Sequence, residues 1–216
     1  MLGMMHSRRS PAALALLLLP GLAAAQERPA EPAAERPLTL PSRDVAVTYQ
    51  VSGAAADALP GGGAPGALRL AWDATGRRLR VGADALPEAA IVDLTEGRAV
   101  ILDQGTRTAL TLPLRGRTSE DIALGGARFR RRGTEQVAGY ACTDYAVQDR
   151  HGSGTLCITA DGVPLRGDGT WGGRAGRFVA TQVDYGAQPD GLFRPPSGFA
   201  QFSLPKNIGA IGMSPR

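Results

Sequence analysis

Histidine, cysteine and aromatic side chains are scarce in this chain, and helical periodicity is almost absent. Of its two histidines, His6 lies in an N-terminal leader and His151 sits between Arg150 and Gly152 in what reads as a tight turn. One histidine and no spare thiol cannot build a histidine-rich metal cage or a Cys–His catalytic pair. A Ser–His–Asp arrangement would have to use His151 with Ser153 from the same exposed loop, and no Gly-x-Ser-x-Gly elbow surrounds any serine. A catalytic base needs an orienting partner and exclusion of water, and a turn histidine has neither.

Carboxylates are more numerous, but Asp93, Asp103, Asp144, Asp161 and Asp168 mostly stand beside glycine at predicted turns, where aspartate serves local hydrogen bonding. Neither Asp161-Gly162 nor Gly167-Asp168-Gly169 has the spacing or closing glutamate of a twelve-residue calcium loop. Gly172-Gly173 with Gly176 reads as a turn, since no strand-to-helix transition follows that could cradle a phosphate. No catalytic residue, metal ligand or cofactor is therefore expected, and an enzyme is the third-ranked reading.

The basic excess is small. Arg8 and Arg9 precede an apolar run, Pro11 to Leu22, that closes on Ala23-Ala24-Ala25, the pattern of a secretory signal over residues 1–25. That run is too short to span a bilayer. Its removal lowers the formal charge from +4 to +2, so nucleic acid is not an expected partner. The one basic cluster, Arg128, Arg130, Arg131 and Arg132, reads as an edge strand protected by charge, with Arg128, Arg130 and Arg132 on one face. No transmembrane segment is expected after signal removal, and the expected location is periplasmic or secreted.

The only cysteines are Cys142 and Cys157. In an oxidising compartment they are expected to pair. They flank a Gly/Asp/Ser turn, and pairing the strands about its centre sets Thr143 opposite Leu156, Tyr145 opposite Gly154, and the cysteines opposite each other. Directly opposed residues lie about 4.5 to 5.5 Å apart at Cα, within disulfide range.

Four prolines in residues 26–41 predict an extended leader. At Ser42 the pattern changes: Val45, Val47, Tyr49 and Val51 alternate with polar residues, the mark of a half-buried strand. Similar runs follow at Leu68–Trp72, Leu79–Val81, Ala89–Leu94, Arg98–Asp103, Leu110–Leu114, Phe178–Tyr185 and Gly198–Phe202, punctuated by turn residues. A mobile loop is expected at 61–66 and a single helical turn at Thr118–Asp121. About ten consecutive strands with little helix predict a mainly β domain over 42–204, a single curved antiparallel sheet forming an open, unclosed barrel; a closed barrel and a sandwich remain as alternatives. Residues 205–216 read as a flexible tail. On the concave face of such a sheet Tyr49, Trp72, Phe178, Phe199 and Phe202 are the candidate ligand-lining residues, in a largely aliphatic surface that suits an acyl chain better than a sugar.

Arg43-Asp-Val-Ala-Val-Thr-Tyr49, Ile91-Val-Asp93, Val100-Ile-Leu-Asp103, Gly139-Tyr-Ala-Cys142 and Leu192-Phe-Arg-Pro-Pro-Ser-Gly-Phe199 resemble the landmarks of a family of exported bacterial proteins of unknown function. That family is similar in fold to the periplasmic lipoprotein carrier LolA and its relatives LolB and RseB. The resemblance implies an unclosed antiparallel barrel with a hydrophobic cavity and no catalytic residues. It departs from the carriers in having no N-terminal amphipathic helix before Val45 and no helical lid, so lipoprotein delivery does not carry over. Two readings follow: binding of a hydrophobic ligand or lipidated partner, or an envelope protein-interaction or sensor domain without a small-molecule ligand.

Overall fold

Strict alternation at Val45, Val47, Tyr49 and Val51 becomes the central strand of the fold. The structure, a computed structural model, describes residues 36–54, 56, 67–82, 88–114 and 124–204. The expected signal, the leader up to residue 35, the 61–66 loop, the Thr118–Asp121 turn and the 205–216 tail lie outside the described residues.

Twelve strands form one sheet: β1 (Val45–Gly53), β2 (Ala67–Asp73), β3 (Arg78–Gly82), β4 (Glu88–Asp93), β5 (Arg98–Asp103), β6 (Thr108–Pro113), β7 (Arg128–Val137), β8 (Tyr140–Gln148), β9 (Gly152–Ile158), β10 (Pro164–Trp171), β11 (Arg174–Tyr185) and β12 (Ala200–Ser203). Their spatial order is β12-β6-β5-β4-β3-β2-β1-β11-β10-β9-β8-β7. Two meanders, β1 to β6 and β7 to β11, are thus joined along the β1–β11 seam. The sheet is not closed: β12 and β7 are its two edges among the described residues. All pairs are antiparallel except β12, which runs parallel to β6 and places Phe202 beside Leu110.

Three hairpins of the first meander turn by one device. Asp73, Asp93 and Asp103 end their strands, and their carboxylates accept the backbone N–H of Gly76, of Thr95 and Glu96, and of Thr106. The residue before each returning strand is left-handed: Arg77 at φ 50, Gly97 at φ 62 and Arg107 at φ 52. Local side-chain capping is what makes aspartate a turn residue.

Regular pairing from β1 to β6 sorts the first meander into two faces. Val45, Val47, Tyr49, Leu70, Trp72 and Leu79 share one face and pack into the main core with Leu165, Ala180 and Val183. On the other face Ala71, Ala89, Ile91, Val100, Leu102 and Ala109 are covered by Leu192, Phe193 and Phe199. These three come from the segment that leads through a short 3-10 turn, Asp190–Phe193, to β12. Arg78 fastens that strap: it bonds Asp73 in its own hairpin, reaches Asp190 at 2.7 Å, and stacks over Phe193 at 4.9 Å.

Packing starts before Ser42. Leu40 joins the main core, the Trp72 indole N–H donates to Pro41 O at 2.8 Å, and Arg36 donates to Leu124 O at 2.7 Å. The last residues of the expected extended leader therefore lie against the sheet.

The Cys142–Cys157 disulfide is present, with Cα atoms 5.4 Å apart, but the expected register is corrected by two residues. Asp144 faces Cys157 and Tyr145 faces Leu156. The turn decides this. Asp149 N donates to Gly152 O, and the Asp149 carboxylate accepts the His151 and Gly152 amides, so only Arg150 and His151 form the loop. The cysteines are diagonal neighbours at the end of the ladder: Cys157 is opposite Asp144, and Cys142 lies just beyond the last pair, Thr143 opposite Ile158.

Candidate functional site

Glycines inside strands carry the most specific information about the site. Pro164-Leu-Arg-Gly-Asp-Gly-Thr-Trp171 looks like a turn because of Gly167 and Gly169, yet it is β10. Register aligns Gly154 of β9, Gly169 of β10, Gly176 of β11 and Gly53 of β1 in one cross-strand row. Large rings lie across this bare backbone. A β-carbon on Gly154 would stand 2.5 Å from Trp171 Cη2, and one on Gly167 would stand 2.5 Å from Phe178 Cζ. Glycine in a strand commonly marks such close approach.

Trp171 and Phe178 border two apolar cavities. The larger, about 340 Å³, lies beside Leu124, Leu156, Ile158 and Pro164. The smaller, about 230 Å³, reaches along the glycine row toward Val51. Phe178 is held edge-on by Tyr49, with ring centroids 5.3 Å apart. Around them Ala127, Phe129, Tyr145, Val147, Leu156 and Ile158 form a buried cluster, with Phe129 and Tyr145 edge to face at 5.9 Å. The Trp171 Nε1 atom is buried without a hydrogen-bond partner among the described residues. A buried indole N–H ordinarily finds one.

The structure distributes the five expected lining residues over several environments. Phe178 lines both cavities. Tyr49, buried behind it, donates its hydroxyl to Pro164 O at 2.7 Å, and burial, with the neighbouring Tyr185 adding, raises its pKa. Trp72 is in the main core and 3% exposed. Phe199 packs with the strap cluster, and Phe202 is 55% exposed on the edge strand β12. Trp171, with Leu124, Leu156, Ile158 and Pro164, is among the cavity residues that pattern reading missed; a tryptophan closing a glycine-punctuated run was the available signal.

Polar chemistry lies elsewhere. His151 Nε2 accepts from Arg150 Nε at 2.9 Å, and the histidine amide is bound by Asp149. Glu135 has its carboxylate within 4.8 Å of both cysteine sulfurs. Those sulfurs are bonded to each other, and Glu135 pairs with Arg166 at 2.6 Å. This group therefore offers a metal no thiolate. Among the described residues no helix is long and apolar enough to cross a membrane.

No protein-family model and no curated protein sequence matches the chain. Among solved structures, an uncharacterized conserved protein from Thermus thermophilus superposes with a TM-score of 0.51 at 13% identity, over 76% of this chain and 91% of that one. At such identity the likeness is one of fold. MucB superposes with a TM-score of 0.48 at 20% identity, over 74% of this chain and 59% of its own length. The Mycobacterium tuberculosis lipoprotein LppX gives 0.43 at 15% identity, over 71% and 90%. These two weaker superpositions carry no functional weight. The unclosed antiparallel sheet implied by the resemblance to LolA, LolB and RseB is the architecture present.

Proposed function

We propose that this protein binds an acyl-chain-type ligand, free or borne by a lipidated partner, beside Trp171 and Phe178, in the periplasm or outside the cell. The observation that carries the reading is the apolar cavity of about 340 Å³ built on paired strands. Small-molecule sites are concave, mostly apolar and typically about 300 to 1,000 Å³, with few polar groups. Here the lining is apolar apart from Thr39, and no ionisable side chain borders the cavity. In this reading Phe178 is the wall, Tyr49 its support, and no residue performs catalysis.

Tryptophan emission tests it directly. Trp72, buried and bonded to Pro41, serves as the silent reference, and Trp72→Phe isolates Trp171. Palmitate is expected to give a saturable change in Trp171 emission, and native mass spectrometry of residues 26–216 exported by a bacterial host is expected to show a stoichiometric lipid. An unchanged spectrum with a bare monomer mass would overturn the reading.

A second reading, a protein-docking or sensor domain, is favoured by β7, an edge strand whose Arg128, Arg130, Arg131 and Arg132 are exposed. Crosslinking through β7 in the intact envelope is its test; a defined partner supports it, and absence of any product counts against it.

A further inference from the structure

The face of β7, β8 and β9 that points away from the aromatic cluster carries a depression of its own. Alternate strand residues share a face. Opposite Phe129, Tyr145, Val147 and Leu156, the register therefore puts Arg128, Gln148 and Ser153 in one cross-strand row and Arg130, Ala146 and Thr155 in the next. These residues line an open depression of about 480 Å³. We propose that it binds a phosphate-bearing anion.

Donor chemistry argues for this class. Two guanidiniums, two hydroxyls and a carboxamide converge on the depression, and no carboxylate lines it. Guanidinium forks match phosphate oxygens bidentately, and hydroxyls and amides complete the shell. The small Ala146 side chain, between Arg130 and Thr155 in its row, leaves room for the anion.

Six described arginines are matched to acids, and Arg128 and Arg130 are not among them. Arg43, Arg78, Arg98, Arg132, Arg166 and Arg194 each lie within 4.0 Å of a carboxylate. Arg128 and Arg130 have no such partner among the described residues. The neighbouring acids are engaged or peripheral. Asp149 holds the turn amides, and Asp144 is shared by Arg132 and Arg166. Asp168 is paired with Thr155 from β10, on the side of the depression away from β7, so the anion sits toward β7. Exposure makes the binding salt-dependent.

Free phosphate and the headgroup of a phospholipid share this chemistry, and one experiment separates them. The exported chain is titrated with inorganic phosphate, followed by 31P line broadening, and floated with vesicles of phosphatidylglycerol or of phosphatidylcholine. Saturable phosphate binding, at least tenfold weaker in Arg128→Gln/Arg130→Gln and in Ala146→Leu, is expected. It should be unchanged in Arg69→Gln/Arg107→Gln, which removes equal charge from the other meander. Flotation with phosphatidylglycerol alone, abolished by the same variants, supports the site with the headgroup as its source. Binding of neither probe, or equal loss in both double variants, would overturn the proposal. Palmitate titration of Arg128→Gln/Arg130→Gln reports the aromatic cavity separately, so failure of one site is distinguishable from failure of the other.

Discussion

Phe178 occupies the space a side chain on Gly167 would need: its Cζ atom lies 2.5 Å from the position of a β-carbon there, and Leu156 Cδ2 lies 2.8 Å from it. Gly167→Ala should therefore push the Phe178 ring into the cavity it borders. Overpacking of this kind costs about 1 to 3 kcal/mol. The expected result is a melting temperature lower by several degrees and a weaker Trp171 emission response to palmitate; thermal denaturation and the titration check both.

The disulfide closes a sequence separation of 15 residues. In the chain-entropy model such a loop contributes roughly 3 kcal/mol, and less where the hairpin turn is already ordered. Cys142→Ser with Cys157→Ser should lower the melting temperature and leave the far-ultraviolet β spectrum intact. Equal melting in reducing and oxidising buffer would contradict a stabilising bridge.

Ala138 and Gly139 join β7 to β8 with φ values of 50 and 82. Such a turn demands two left-handed residues, and alanine is a poor one. Ala138→Gly should stabilise the protein by up to about 1 kcal/mol, read as a rise in denaturant midpoint. Gly139→Ala should do the opposite on backbone grounds alone, because no atom lies within 4 Å of its added β-carbon.

Burial raises the Asp73 pKa, but the Gly76 amide and the Arg78 guanidinium outweigh it and hold the carboxyl below its usual range. A depressed carboxylate pKa adds stability that is complete above the ordinary aspartate value of about 3.9 and is lost as pH falls through the folded-state value. Acid should therefore loosen the β2–β3 hairpin and the strap tied to it through Arg78. Asp73→Asn is expected to cost about 1 to 2 kcal/mol at pH 7 and to flatten the stability decline below pH ~4. Denaturant titrations across that range measure it.

Strands with clean alternation were legible because one buried face imposes period two; β1 and the hairpins capped by Asp73, Asp93 and Asp103 are examples. β10 was not, because glycines placed there to receive the Phe178 and Trp171 rings resemble turn residues until the rings are seen. Register across the cysteine hairpin escaped for a local reason: the Asp149 carboxylate selects a two-residue loop, which composition alone does not reveal. Phe199 and Phe202 illustrate the non-local limit. The strap returns long after the strands it covers, on the face opposite Tyr49, and no local pattern announces which side it takes.

The β1–β11 seam has a temporal meaning. Val45 and Val47 are fully buried, yet β1 takes one neighbour from the next strand and the other from Arg174–Tyr185. A chain emerging amino end first must carry that apolar edge unpaired until its last major strand has appeared. Pairings this distant close slowly and leave open edges vulnerable to mispairing, so the two meanders can be joined only after both have been synthesised.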